Sequence, residues 1–147
     1  MSESQRAGLA ARFLLDRTPV QPRAALVLGS GWGGLIGELR GAVRVPYAQV
    51  PGMKVSAVPG HAGEWVLGQI GSTPVAVMSG RLHYYEGHSL ADVVFPMRVL
   101  KAMGVETVVL TNAAGAVNMS FQPGDLMLVV DHINLTGANP LFGPNDE

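Results

Sequence analysis

Residues 24–34 read AALVLGSGWGG, a short apolar run followed by a glycine-rich turn. The run is rich in strand-forming residues and lies between Pro22 and Gly29, a pattern typical of a strand that is buried on both faces. The turn offers backbone N–H groups and the Ser30 hydroxyl, which can hold a phosphate at the start of the short helix expected over residues 35–40. A plain tight turn, which does not need Ser30, is the alternative interpretation.

Two other predicted strands end in the same way. The strand VAVM (75–78) leads into SGRLH (79–83), and the strand TVVL (107–110), expected to be buried, leads into NAAG (112–115). In open α/β sheets, ligands bind beyond the carboxyl ends of the strands. The sequence therefore predicts that three polar, glycine-containing loops meet over one crevice.

Two helices are predicted from apolar spacing and capping residues. The first covers residues 3–16, and the second covers 90–103 between the N-cap Ser89 and the stop signal Gly104. The apolar face of the first helix is expected to carry Leu9, Phe13 and Leu14. Helices that alternate with strands predict an α/β fold with a mixed sheet.

The remaining strands are predicted from their flanking turns. The segments EWVLGQI (64–70) and PVAVMS (74–79) flank a short turn and predict a β-hairpin. Residues 43–63 contain many prolines and glycines, which favours short strand pieces and a mobile loop. DLMLVVDHI (125–133) follows a Pro-Gly turn and is predicted to be a further strand.

Composition limits the classes of function. The 147 residues are 48% hydrophobic and 14% charged with a net charge of −1, which excludes a disordered chain and predicts no nucleic-acid or membrane partner. The absence of cysteine excludes disulfides and Cys-ligated zinc, and the four histidines form no metal-binding motif, so we expect no metal. The start, MSESQRAGLAARF, lacks the apolar segment of a signal peptide, and we expect a soluble, cytoplasmic protein.

The second loop contains the charges that an anion site needs. Arg81 and His83 lie two positions apart and point the same way in an extended loop, and a guanidinium with an imidazole suits a phosphate dianion. Glu86 can orient or charge that imidazole. The alternative for each residue alone is an ion pair of Arg81 with a surface carboxylate and a structural role for His83. Arg81 and His83 are expected beside the loop that carries Ser30, which also offers phosphate-binding groups. This arrangement favours phosphate binding over the alternative for each residue alone.

Two further features of the sequence allow more than one interpretation. His61, in PGHAG (59–63), is either part of a lid over an anion or an exposed loop histidine. The spacing of Gly29, Gly31 and Gly34 matches the dinucleotide-binding fingerprint, but residues 40–63 contain no Asp or Glu to bind a ribose hydroxyl. The sequence therefore disfavours a dinucleotide-binding domain.

Six long motifs occur in the order found in trimeric purine nucleoside phosphorylases, and the chain resembles that family. They are GSGWGG (29–34), VPGHAGEW (58–65), GRLHYYEGHS (80–89), FPMRVLKAMGVETVVLTNAAGAVN (95–118), QPGDLMLVVDHINLTG (122–137) and NPLFGPND (139–146). The resemblance implies a three-layer α/β/α fold with a mixed central sheet. It also implies phosphorolysis of a purine (deoxy)ribonucleoside to a free purine base and (deoxy)ribose 1-phosphate. Inorganic phosphate is then a co-substrate, no cofactor is needed, and the full-length form is a homotrimer.

The resemblance also assigns roles to single residues. The phosphate-binding positions match Ser30, Arg81, His83 and the backbone N–H of Ala113. His61 matches a mobile loop that closes near the ribose and phosphate, which makes it a further candidate phosphate-binding residue. The candidate catalytic residues are His83, Arg81 and His61. Tyr85 matches a ribose-contacting tyrosine, and Asn112, Ala113 and Ala114 match the strand-end loop beside the sugar and base.

The length of the chain departs from the family pattern, since members are roughly twice as long. Residues 1–147 then correspond to the N-terminal part of a single, truncated phosphorylase domain, and the C-terminal half with its purine-binding residues is absent. One alternative is a truncated remnant that is inactive, binds phosphate or associates with intact subunits. A methylthioadenosine phosphorylase is a less favoured alternative. An interrupted sheet has an unpaired edge, so we expect the isolated chain to be poorly soluble or self-associating.

Overall fold

A five-stranded mixed sheet forms the centre of the protein, with strand order β2-β3-β4-β1-β5. The computed structural model describes residues 1–56 and 63–143. The strands are β1 (Ala24–Leu28), β2 (Arg40–Pro46), β3 (Glu64–Ile70), β4 (Thr73–Ser79) and β5 (Thr107–Leu110). β1 runs parallel to β4 and β5, whereas β3 is antiparallel to β2 and β4. The predicted α/β fold with a mixed sheet is confirmed.

The parallel strands β4, β1 and β5 bring their carboxyl ends to one edge of the sheet. Leu28 at the end of β1 pairs with Ser79 at the end of β4, and Val27 pairs with Leu110 at the end of β5. The three loops that the sequence singled out therefore leave the sheet side by side. The predicted hairpin is also confirmed, because β3 and β4 pair along their whole length from Glu64 to Ser79.

Two α-helices cover one face of the sheet. They are α1 (Glu3–Leu15), which begins with a capping box between Ser2 and Gln5, and α2 (Leu90–Ala102), whose N-cap is Ser89. The helices pack against each other and against the sheet. The shared core contains Leu14, Trp65, Met78, Phe95 and Val99.

The predicted apolar face of α1 needs a correction. Leu14 is buried as expected, but Leu9 is exposed, and the rest of the buried face consists of the alanines Ala7, Ala10 and Ala11. Small side chains let the helix lie close to its neighbours. The prediction considered only large apolar side chains, and it therefore assigned Leu9 to the buried face instead of the alanines.

The opposite face of the sheet is covered by a short 3₁₀-helix (Gly33–Glu38) in place of the regular helix expected over residues 35–40. Three glycines within its six residues disfavour a longer α-helix. Its side chains Leu35 and Ile36 pack with Trp32 against a second core cluster. That cluster consists of Leu28, Leu39, Val66, Val75 and Val77. The sheet thus lies between two layers, as the three-layer prediction requires.

The region expected to hold only short strand pieces contains a seven-residue strand, β2, which starts at Arg40. Its first residues are irregular, with a register shift between Arg40 and Val43 against β3. The predicted mobile loop falls largely on residues 57–62, which lie outside the described residues.

The edge of the sheet at β5 differs from the prediction of a buried strand. β5 pairs only with β1 in the described chain, and Leu110 at its end is 70% exposed. The strand predicted over 125–133 is wrong, because the structure describes no helix or strand over residues 112–143. The apolar residues Leu126, Leu128 and Val130 are exposed. Strand propensity alone does not make a strand, which needs a partner for its backbone hydrogen bonds.

None of the helices in the described part of the chain has the length and apolar character needed to cross a membrane.

Candidate active site

A cleft of about 490 Å³ lies at the carboxyl ends of β1 and β4. Its lining includes three of the five predicted phosphate-binding residues, which are Ser30, Arg81 and His83. The other lining residues are Leu28, Gly29, Gly33, Pro46, Gly63, Glu64, Ser79 and Gly80. Polar groups that are far apart in the sequence thus meet where the topology of the sheet predicts a ligand.

Arg81 connects the second loop to the end of β5. Its Nη1 donates a hydrogen bond of 3.0 Å to the carbonyl oxygen of Thr111. This neutral partner differs from the surface carboxylate that the alternative interpretation of Arg81 required. A guanidinium has several N–H donors in one plane, so this contact orients the group and leaves its positive charge and further donors for an anion in the cleft.

Glu86 fixes the ring of His83. One carboxylate oxygen of Glu86 accepts hydrogen bonds from the backbone N–H and from Nδ1 of His83, each at 2.9 Å. A carboxylate only accepts hydrogen bonds, so we assign a proton to Nδ1. Nε2 is then the ring nitrogen that remains to serve the cleft. The predicted orienting role of Glu86 agrees with this geometry.

The carboxylate of Glu86 is itself held on its other oxygen. Ser56 Oγ donates to Oε2 at 2.5 Å, and His88 Nε2 lies 3.7 Å from the same atom. The Ser56 hydrogen bond, followed by those from His83, lowers the pKa of Glu86 from 4.5 to about 2. Glu86 is therefore ionised at neutral pH and can hold His83 in one orientation.

Thr111 supports the strand ends next to the cleft, and the sequence prediction missed it. Its buried hydroxyl donates to the carbonyl oxygen of Val27 at 3.0 Å and accepts the N–H of Gly29 at 2.9 Å. Its carbonyl oxygen is the partner of Arg81. Thr111 thus joins the ends of β1 and β5 and orients the guanidinium. The sequence feature that could have pointed to Thr111 is its place as a single polar residue directly after the apolar strand TVVL.

The close approach of these two strand ends explains Gly29. A Cβ atom on Gly29 would lie 2.5 Å from the carbonyl oxygen of Thr111 and 2.9 Å from the Cα of Asn112. Both neighbours are backbone atoms, which cannot move aside as a flexible side chain can. Only glycine fits at this position, and the backbone at Asn112 comes next to the first loop as a result.

Tyr47 and Glu64 were also missed. Tyr47 is buried and donates from its hydroxyl to the carbonyl oxygen of Gly80 at 2.7 Å, which supports the loop before Arg81. Burial, followed by the nearby charge of Glu64, raises the pKa of Tyr47 above its usual value, so the hydroxyl stays protonated as a donor. Glu64 lines the cleft and pairs with Arg44 at 3.4 Å.

The predicted sugar-side residues are not brought into the cleft. Tyr85 stacks on His83 with ring centroids 4.9 Å apart, but it is 79% exposed and does not line the cleft. Asn112, Ala113 and Ala114 follow β5 on the exposed part of the chain. His61 lies outside the described residues. Within the described ranges, no group of three or more metal-ligating side chains is close enough to hold a metal ion.

Comparison with known proteins supports the resemblance found in the motifs. The chain is 55% identical over 137 residues to purine nucleoside phosphorylase 1 of Geobacillus stearothermophilus, covering 93% of this chain and 50% of the relative. It is 47% identical over 140 residues to the purine nucleoside phosphorylase of Bos taurus, covering 93% of this chain and 48% of the relative. The chain therefore spans about half the length of the curated relatives that it matches.

The fold has a close match among solved structures. Isoform 2 of purine nucleoside phosphorylase from Schistosoma mansoni, solved in complex with cytosine and ribose-1-phosphate, superposes with a TM-score of 0.87 at 38% identity. The match covers 96% of this chain and 50% of that chain. The nucleoside phosphorylase-like fold is thereby confirmed for a partial domain. The family model for the phosphorylase superfamily matches residues 23–147, and the chain belongs to that superfamily.

Proposed function

We propose that the chain belongs to a purine nucleoside phosphorylase, a pentosyltransferase of purine salvage, and forms the phosphate side of its active site. The observation that carries this proposal is the meeting of Ser30, Arg81 and His83 in one cleft at the strand ends. The similarity to proteins named purine nucleoside phosphorylase supports it. The Schistosoma mansoni relative has been solved with ribose-1-phosphate, the sugar product of this reaction.

The proposed reaction transfers a ribosyl group from a purine to phosphate. Phosphate oxygen attacks the anomeric carbon while the bond from that carbon to the purine nitrogen breaks, and the electron pair of that bond leaves with the purine. In the transition state the ribosyl carbon is cationic and the leaving purine carries negative charge. An enzyme accelerates this step by fixing phosphate under the ribosyl carbon and stabilising the charges that develop.

The described residues suit the phosphate half of that task. Arg81 supplies a positive charge whose orientation is set by the Thr111 carbonyl. His83 supplies Nε2, with its ring held by Glu86 through Nδ1. Ser30 adds a hydroxyl from the glycine-rich loop at the end of the neighbouring strand β1. The reaction needs no cofactor and no metal, and inorganic phosphate is the second substrate.

The sugar side of the site is proposed from the resemblance. The residues assigned to the ribose and purine are Tyr85, Asn112, Ala113 and Ala114. The backbone N–H of Ala113 is also assigned to phosphate, and His61 to the ribose and phosphate together. The exposure of Tyr85 and of residues 112–114 leaves these groups accessible to a substrate.

The wider setting of the protein is also part of the proposal. Residues 1–147 form the N-terminal part of one phosphorylase domain, since the alignments cover about half of each relative. The full-length form is a homotrimer in the cytoplasm, as the resemblance implies. The preferred purine nucleoside depends on purine-binding residues outside this chain.

The direct test is phosphate-dependent release of hypoxanthine from inosine by the 147-residue chain. Turnover that needs phosphate and is abolished in Arg81→Ala supports the proposal. No turnover at high protein concentration would overturn the enzyme claim for this chain.

A second candidate is a remnant that binds phosphate or associates with other subunits without turnover. The exposed apolar residues of β5 and of segment 126–130 favour it, because such surfaces promote association. Sedimentation of the isolated chain tests this candidate, for which we expect oligomers or aggregates. A monodisperse monomer that melts cooperatively would contradict it.

A further inference from the structure

Ser56 lies outside the cleft lining but contacts the group that controls His83. The Glu86 side chain is only 5% exposed, so water contributes little to holding its carboxylate. Oε1 is occupied by the two donors of His83, and Oε2 receives the hydroxyl of Ser56 at 2.5 Å. Among the described residues, Ser56 is thus the hydrogen-bond donor to Oε2, the carboxylate oxygen that His83 does not use.

A competing group lies near the same oxygen. His88 Nε2 is 3.7 Å from Oε2, is buried, and has no hydrogen-bond partner among the described residues. A carboxylate that lost the Ser56 hydroxyl would gain by turning Oε2 toward His88, because a buried acceptor without a donor is costly. Such a turn would move Oε1 away from Nδ1 of His83.

We propose that Ser56 is a positioning residue for phosphate binding: it holds Glu86 toward His83, which keeps the His83 proton on Nδ1 and leaves the lone pair of Nε2 to accept the O–H of hydrogen phosphate. The inference rests on the proposed phosphate site. Ser56, Glu86 and His83 form a chain of hydrogen bonds. The chain connects the imidazole in the cleft to a residue that lies 30 positions before Glu86 in the sequence.

The first test needs no phosphate. In ¹⁵N spectra of the His83 ring, the unmodified chain shows the neutral form protonated on Nδ1, and Ser56→Ala shows a mixture of the Nδ1 and Nε2 forms. A carboxyl ¹³C titration of Glu86, which faces Ser56, His83 and His88, shows its pKa rising from about 2 toward 4.5 in Ser56→Ala. Ser56→Thr keeps a hydroxyl and restores both signals. Unchanged spectra in Ser56→Ala would overturn the inference.

The second test measures phosphate affinity by calorimetry. We expect Ser56→Ala to weaken phosphate binding roughly fivefold to tenfold, because it removes one hydrogen bond that supports His83 without touching phosphate itself. Ser56→Thr keeps the hydroxyl and restores the affinity. Ser72→Ala, in the exposed turn between β3 and β4, is the matched control and binds as the unmodified chain does. Normal affinity in Ser56→Ala overturns the inference alone. Failure of the unmodified chain to bind phosphate overturns the proposed function, and the His83 spectra then still decide whether Ser56 positions the ring.

Discussion

Residues up to Thr111 and described residues from Asn112 onward differ in the sequence separation that their contacts span. In the first region, strands, helices and side-chain hydrogen bonds join residues as far apart as Val27 and Thr111. In residues 112–143, the described hydrogen bonds join residues no more than four positions apart. The described side chains that we propose to bind phosphate belong to the first region, whereas three proposed sugar-side residues belong to the second. The residues proposed to bind phosphate are therefore held by long-range contacts, whereas those proposed to bind the sugar after residue 111 are held by local ones.

The largest expected effect contrasts one leucine from each region. Leu14→Ala removes a side chain that is 0% exposed and leaves a cavity between α1, α2 and the sheet, so we expect a loss of about 3 kcal/mol in the free energy of unfolding. Leu128 is 87% exposed, and Leu128→Ala changes that free energy by less than about 0.5 kcal/mol. Urea denaturation of the chain measures both values. Equal losses would show that residue 128 is packed in solution and would break the contrast.

The second prediction concerns phosphate binding in the first region. Arg81→Ala removes the positive charge that lines the cleft, and we expect phosphate affinity to fall roughly 100-fold, as for loss of a strong charge-assisted hydrogen bond. Calorimetric titration with inorganic phosphate measures the change. Arg23→Ala is the control, because Arg23 forms an exposed ion pair with Glu106, and such pairs contribute little. Affinity in Arg81→Ala equal to that of the control would remove Arg81 from the site.

The third prediction uses two glycines that follow strand ends in the two regions. Gly29→Ala forces a Cβ into the backbone at Thr111 and Asn112, and we expect a loss of about 2 kcal/mol in unfolding free energy and weaker phosphate binding. A Cβ on Gly115 meets no atom within 4 Å, so Gly115→Ala is the matched control and is tolerated. Thermal melting compares the two variants. A tolerated Gly29→Ala would show that β1 and β5 can separate at their ends without cost.

The residues that meet in the cleft were predictable from the sequence because their position at strand ends follows from topology. The apolar runs AALVL and VAVM place Ser30 and Arg81 at carboxyl ends, and the parallel pairing of β1 with β4 then brings them together. The partnership of His83 with Glu86 was predictable from their spacing of three residues. Local patterns thus located three side chains of the cleft.

Long-range partners were not predictable in this way. Thr111 and Ser56 act through residues that lie 82 and 30 positions away, and no local pattern records such contacts. The strand predicted over 125–133 failed for the opposite reason. Its local pattern is strong, but a strand also needs a neighbour, and the described chain places none beside it.

The smallest expected effect is the dependence of stability on Glu86 at low pH. The pKa of Glu86 in the folded protein, about 2, lies below its ordinary value of 4.5, so folding favours the ionised form. The stabilisation from Glu86 is therefore fully present above about pH 4.5 and is lost as the pH falls through about 2. Glu86→Gln is then less stable than the unmodified chain near neutral pH, and the difference in urea midpoint shrinks as the pH falls toward 2. Glu38→Gln, at an exposed carboxylate of the 3₁₀-helix Gly33–Glu38, is the control for the loss of one negative charge. A difference between the Glu86 variant and the unmodified chain that stays constant with pH would mean that the hydrogen bonds from Ser56 and His83 do not favour the charged carboxylate.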